Sequence, residues 1–184
     1  VPMNKSISRR DFLHASAGLA GAVAGAAAAS SVWAAPALST TGARTLSKLR
    51  VGVIGLGGQG RFLMERFQAN PHIEIVALSD CYDAHMERAQ AKLPRPVPRH
   101  RDFRRLLDAT DVDAVVIAAP DHWHCLMGIL ACQAGKDIYV EKPLSLGIDE
   151  GRQFIRHARR HDRVVQVGLM QRSGPMYQEV VEIV

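Results

Sequence analysis

The sequence predicts a doubly wound α/β fold on a six-stranded parallel sheet. Three observations predict it. From Lys48 onward, short apolar runs alternate with helix-capable stretches. The runs lack period-two alternation, as strands covered by helices on both faces do. The first run opens directly into Gly55-Leu56-Gly57-Gly58-Gln59-Gly60, and the second ends on the acid Asp80, the distance downstream that a nucleotide-binding β-α-β unit requires.

Taken in order, the expected strands are Leu49–Ile54, Ile73–Leu78, a weak one near Val97, Val112–Ala118, Ile138–Val140 and Val164–Val167. Helices are expected over Arg61–Gln68, Asp83–Lys92, Asp102–Ala109, His122–Ala134 and Asp149–His161. Asp102 and Asp149 stand where an N-cap would accept from the first free N–H groups. Gly135 follows Ala134 as a helix stop, because glycine enters the left-handed conformation without a Cβ clash. Residues 35–47, rich in Pro, Ser, Thr and Gly, read as a linker.

The glycine spacing has a physical reading. Gly55 permits the tight turn, and Gly57 lets the backbone approach a pyrophosphate. Gly60 lets the helix pack against the strand, so that its unpaired N–H groups and positive dipole end face phosphate. Gly58, Gln59 and Arg61 complete this candidate phosphate-binding turn. Asp80 would accept hydrogen bonds from the adenosine ribose and repel a 2′-phosphate, which selects NAD over NADP. Arg61 would partly offset that preference by facing a phosphate.

The first residues carry a different signal. Ser8-Arg9-Arg10-Asp11-Phe12-Leu13 leads into an Ala- and Gly-rich stretch over 15–29. A charged start, a mildly apolar middle and a small-residue exit describe a secretory signal over residues 1–34, and the paired arginines point to the twin-arginine route. Cleavage is expected after Ala34, with Ala37 as the other site. The alternative is an alanine-rich membrane anchor, which so much Ala and Gly serves poorly.

Net charge is +5 overall, but residues 1–50 hold six of the cations and one acid, and the rest balances at 17 of each. The basic character therefore belongs to the signal and linker, and no nucleic-acid partner is expected. The cluster Arg95, Arg99, His100, Arg101, Arg104 and Arg105 reads as a solvated face. Cys125 and Cys132 stand about 10 Å apart along a helix, too far for a disulfide. No Cys/His spacing suits a metal, and none is expected.

Ligands in such sheets sit beyond the carboxyl ends of the strands. Those ends collect Gly55–Gly60, Asp80, the segment Ala118-Ala119-Pro120-Asp121-His122-Trp123-His124, Glu141-Lys142-Pro143, and the Gly168–Arg172 segment. With these motifs the chain resembles the Gfo/Idh/MocA family of nicotinamide-dependent oxidoreductases, from about Leu49 to Tyr177. The carrying motifs are the glycine turn, Ala-Pro-x-x-x-His over Ala119–His124, and Glu141-Lys142-Pro143.

The resemblance implies a nucleotide-binding domain over 48–172 and puts Lys142 beside nicotinamide and substrate. There an ammonium can bond the reacting oxygen and stabilise the developing alkoxide, and it can help move the proton if burial lowers its pKa. Glu141 would orient Lys142 or contact the cofactor, while Ala119, Pro120 and His124 would line the cofactor cleft. Against these stand a surface lysine on a turn and a helix-capping histidine. The family's second domain, an open α+β sheet with further catalytic residues, would begin about where this chain stops, so residues 173–184 read as its truncated start. Pairing of copies is expected only with that domain.

Export outside the inner membrane offers no ready NAD to exchange. The implied function is thus the nucleotide-binding half of a periplasmic or secreted oxidoreductase on a sugar or polyol, holding NAD tightly and recycling it in each turnover. The twin-arginine translocase would be its export partner. The alternatives are a redox-neutral glycosidase or lyase, and an inactive dinucleotide-binding fragment. The Glu-Lys-Pro motif favours the dehydrogenase type.

Overall fold

The computed structural model describes residues 48–183. The expected signal peptide (1–34) and the expected linker (35–47) lie outside the described residues. Six parallel strands form one sheet in the order β3-β2-β1-β4-β5-β6. They are β1 (Leu49–Ile54), β2 (Ile73–Ser79), β3 (Arg99–His100), β4 (Ala114–Ile117), β5 (Asp137–Glu141) and β6 (Val165–Gly168). The helices between and after them are α1 (Gly58–Gln68), α2 (Asp83–Gln90), α3 (Phe103–Leu107), α4 (His124–Gln133), α5 (Ile148–Arg160) and α6 (Pro175–Ile183).

Burial explains the apolar runs. One face of the sheet presents Val51, Val53, Leu78, Val116 and Tyr139 to Leu63, Met64, Phe67, Met86 and Ala89 of α1 and α2. The other presents Ile54, Val115, Ile117, Ile138 and Val140 to Leu106, Leu107, Cys125, Ala131 and Phe154 of α3, α4 and α5. Neither face of the central strands meets water, so neither needs polar alternation. At the lower edge, Arg50 donates from Nη2 to Asp113 Oδ1 at 2.7 Å and from Nε to Oδ2 at 2.9 Å, tying β1 to the entry of β4. Buried Lys136 donates to the carbonyls of Ala109 and Val112 at 2.6 and 2.8 Å. Burial pushes its ammonium below the ordinary lysine range.

Several expected bounds move. The weak strand near Val97 is a two-residue edge strand at Arg99–His100. The expected helix from His122 is a 3-10 turn over Asp121–Trp123 followed by α4 from His124. Asp149 is not an N-cap: Gly147 holds that position in extended conformation and Asp149 lies inside the first turn of α5. Asp102 does cap α3, accepting from Arg104 N–H at 3.0 Å. Gly135 stops the fourth helix with φ +73°. The arginine cluster is solvated and paired with carboxylates, Arg95 with Glu74, Arg101 with Asp83 and Arg104 with Asp102. Cys81, Cys125 and Cys132 are free thiols.

The contact of α4 with α5 depends on Gly128. A Cβ there would stand 2.1 Å from Cζ of Phe154, which is 1% exposed. The ring has no empty volume to enter. Gly128→Ala is therefore expected to cost about 2 kcal/mol through forced repacking, read as a lowered urea midpoint at unchanged slope. An unchanged midpoint would show that the two helices separate freely.

Candidate dinucleotide site

The strand order reverses between β1 and β4, which is where open α/β sheets bind ligands. The turn after β1 forms one wall. Gly55 has φ +83°, and a Cβ there would fall 2.6 Å from the Ala118 carbonyl and the Ala119 nitrogen. A Cβ on Gly60 would fall 1.8 Å from the Gly55 oxygen. At Gly57 and Gly58 it would meet nothing within 4 Å. The first and last glycines of the motif thus serve chain packing, and the middle pair faces open space.

The start of α1 suits an anion. No side chain caps it and its first turn carries no acid, so its leading N–H groups have no side-chain acceptor. These features fit the pyrophosphate of a dinucleotide, which the N–H groups and dipole would hold without any cationic side chain. Arg61, at the same turn, donates from Nη1 to the Leu56 carbonyl at 2.7 Å and so braces it.

Asp80 follows β2 and is turned toward the same turn. Its Oδ2 accepts from Leu56 N–H at 2.7 Å and its Oδ1 from Tyr82 N–H at 2.9 Å. His85 Nδ1 lies 3.2 Å from Oδ2. The carboxylate, 10% exposed, is thus fixed by two backbone donors beside the glycine turn. Sequence reading found Asp80 but not His85, since a histidine five residues on in a helix carries no motif.

Beyond β4 and β5 the remaining motif residues meet. Buried Glu141 accepts from Gln59 Nε2 at 2.9 Å on Oε1 and from Lys142 N–H at 3.1 Å on Oε2. The glycine turn and the Glu-Lys-Pro turn are therefore joined by one carboxylate. Gln59 points from the glycine turn to Glu141, a link across 82 residues that spacing does not reveal. Tyr139 packs edge-on against Phe67 at 5.2 Å between centroids. Burial, with a smaller contribution from Glu141, pushes its phenol up to about 12. It therefore keeps its proton near neutral pH.

His124 is placed differently from the expectation that it lines the cleft. It is 1% exposed, with Nδ1 at 2.7 Å from the Pro143 carbonyl and Nε2 at 2.8 Å from the Ala119 carbonyl. The ring lies under the loop and ties the Ala119-Pro120 segment to the Lys142-Pro143 turn, whose peptide bond is cis. The groups left facing outward are the Ala119-Pro120 backbone and Lys142, which is exposed. Asp121, His122 and Trp123 are exposed beside them. Among the described residues, no group of three or more His, Cys, Asp or Glu could hold a metal ion. No helix among them is long and apolar enough to cross a membrane.

A family model described as the oxidoreductase family with NAD-binding Rossmann fold, GFO_IDH_MocA, matches residues 49–169. The chain belongs to this family. A second model, described as the twin-arginine signal of the ubiquinol–cytochrome c reductase iron–sulfur subunit, matches residues 2–31. Among relatives, the oxidoreductase YrbE of Bacillus subtilis is 32% identical over 133 residues, 72% of this chain and 39% of that protein. An α-N-acetylgalactosaminidase of Shewanella oneidensis is 36% identical over 120 residues, 61% of this chain and 26% of that protein.

Among Gfo/Idh/MocA structures, scyllo-inositol dehydrogenase from Lactobacillus casei with NAD(H) and scyllo-inositol superposes with TM-score 0.68. It shares 25% identity, covering 74% of this chain and 40% of that one. The chain thus spans well under half the length of the proteins it matches. The doubly wound sheet and the recognised family agree with the sequence reading.

Proposed function

We propose that this chain is the dinucleotide-holding part of an exported NAD-dependent oxidoreductase that acts on a sugar or polyol hydroxyl or carbonyl. The reading is carried by the convergence of the glycine turn, Asp80 and Glu141-Lys142-Pro143 on one edge of the sheet, with Gln59 joined to Glu141. In this role Gly55 and Gly60 shape the turn by close packing, Gly57 and Gly58 with the first turn of α1 hold the pyrophosphate, and Asp80 holds the adenosine ribose. Ala119 and Pro120 line the cleft near the nicotinamide, and His124 fixes them from below.

NAD, when bound, supplies the two-electron acceptor. Lys142 would supply the acid–base part: in oxidation its free amine would take the hydroxyl proton as hydride leaves the carbon for NAD, and in reduction its ammonium would bond the carbonyl oxygen and return that proton. Glu141, held by Gln59, orients the Lys142 backbone. The polyol class is supported by the scyllo-inositol present in the Lactobacillus casei structure. The test is transfer of deuterium between paired sugars or polyols by the full-length protein, run beside glycoside hydrolysis. Transfer is expected.

A second reading, a redox-neutral glycosidase, is favoured by the similarity to the Shewanella oneidensis α-N-acetylgalactosaminidase. Hydrolysis without net exchange between substrates would establish it and remove the first.

The preference for NAD has its own measurement. A carboxylate facing a 2′-phosphate loses about tenfold or more in affinity through like-charge repulsion in a wet cleft. Asp80→Ser is expected to narrow the gap between NAD and NADP in calorimetric titration. Tighter NADP binding by the unaltered protein would remove the role given to Asp80.

Export is supported by the signal-model match over residues 2–31. Residues 1–34 are proposed as the signal, 35–47 as linker, 48–172 as the nucleotide-binding domain and 173–184 as the start of a second. A receptor that reads guanidinium geometry distinguishes Arg from Lys at equal charge. Changing Arg9 and Arg10 together to Lys is therefore expected to leave the protein cytoplasmic, with unaltered protein periplasmic on fractionation. Continued export would indicate an ordinary secretory signal. Dinucleotide recovered from denatured periplasmic protein would support tight loading and recycling.

A further inference from the structure

We propose that His85 is a specificity-determining residue for the dinucleotide, setting through its contact with Asp80 how strongly the adenosine end of the cleft refuses a 2′-phosphate. The inference rests on the placement of the adenosine ribose at Asp80.

Asp80 is held by Leu56 N–H and Tyr82 N–H, so its position does not depend on His85. What His85 changes is its charge. Nδ1 lies 3.2 Å from Oδ2, the oxygen that also accepts from the glycine turn. The ring is seated against Tyr82, which it meets edge-on at 4.9 Å and 81°, while the His85 backbone N–H donates to the Tyr82 carbonyl at 3.0 Å in the first turn of α2. At 31% exposure it stays open to solvent protons while Asp80 is largely covered.

A neutral imidazole leaves Asp80 with its full negative charge, and a 2′-phosphate is repelled. An imidazolium makes the pair neutral overall and gives the phosphate a cation to face. Protonation of the imidazole should therefore weaken the preference for NAD on the acid side.

The neighbouring charges do not duplicate this switch. Asp83, at the start of α2, is paired with Arg101, whose guanidinium holds that carboxyl below the usual range, with a smaller lowering from Arg99. Arg61 of α1 is committed to the Leu56 carbonyl. Cys81 lies near enough to Arg101 to interact with it. His100 of β3, whose carbonyl accepts from Asp80 N–H at 3.2 Å, is the other imidazole on the facing strand and the control position.

The test measures dissociation constants for NAD and for NADP by calorimetry at pH 5.5 and 8, using the full-length protein. A 2′-phosphate itself gains a proton near pH 6, so the decisive quantity is the difference between variants. In the unaltered protein and in His100→Gln, the NAD-to-NADP affinity ratio is expected to fall at pH 5.5 by about tenfold more than in His85→Gln, the effect of one neutralised charge in a wet cleft. His85→Lys is expected to hold the ratio low at both pH values.

An equal fall in His85→Gln and unaltered protein, or a high ratio in His85→Lys, would overturn the inference. A ratio that ignores Asp80→Ser would instead overturn the ribose placement on which it rests.

Discussion

Replacing Gly60 with alanine is expected to destabilise the protein by about 3 kcal/mol, at the upper end of overpacking costs, and to abolish dinucleotide binding. The added Cβ would lie 1.8 Å from the Gly55 oxygen and 2.8 Å from its carbonyl carbon. Both are backbone atoms, so no rotamer change relieves the clash. The turn cannot retreat either, because Gly55 is itself wedged against the Ala118–Ala119 peptide. Either α1 lifts from β1, exposing Leu63, Met64 and Phe67, or the turn unwinds and its N–H groups lose their common aim.

Gly57→Ala is the matched control. Its Cβ would meet nothing within 4 Å, so the melting temperature should hold while affinity for NAD falls. Thermal unfolding and calorimetry on both variants separate packing from ligand approach. A Gly60→Ala protein with unchanged melting temperature would mean that α1 does not need its close seat on β1.

The same contrast shows what a sequence of this kind makes legible. Strand β1 falls on Leu49–Ile54 as expected, because the β-branched Val51, Val53 and Ile54 leading straight into a glycine turn have few other structures available. The third strand is poorly legible for the opposite reason. At the sheet edge only Arg99 and His100 pair with β2, and neither is apolar, while the buried Val97 lies just before them. Asp149 looked like an N-cap from residue type alone, whereas backbone conformation gives that place to Gly147.

Within the site, the outward-facing motifs were readable and their supports were not. Gln59 sits at a variable position of the glycine motif, and nothing local says that its amide finds Glu141. His124 belongs to a recognisable pattern, yet burial turns it into a brace between two loops. Both are long-range hydrogen bonds, which depend on the assembled sheet rather than on neighbours in sequence.

Those supports bear on the last expected result. Changing Lys142 to methionine is expected to lower turnover of the full-length protein by about a thousandfold, within the range for losing a general acid–base group. Affinity for NAD should change little. The backbone on both sides of Lys142 is anchored independently of its ammonium. Its N–H donates to Glu141, and the next residue's carbonyl faces His124. The methionine stem preserves much of the chain's bulk while removing the charge and the transferable proton. Lys142→Arg restores the charge but not the function, because a guanidinium does not release its proton in this range and presents a planar fork in place of a compact donor. Single-turnover kinetics with saturating substrate would place the loss in the chemical step rather than in binding. Undiminished turnover in Lys142→Met would remove Lys142 from the chemistry and leave the ordered Glu-Lys-Pro turn with a purely structural part. A loss confined to NAD affinity would assign Lys142 to the cofactor alone, and the proton at the reacting oxygen would then have to be carried by another group, with the exposed Asp121 and His122 beside it the first to replace.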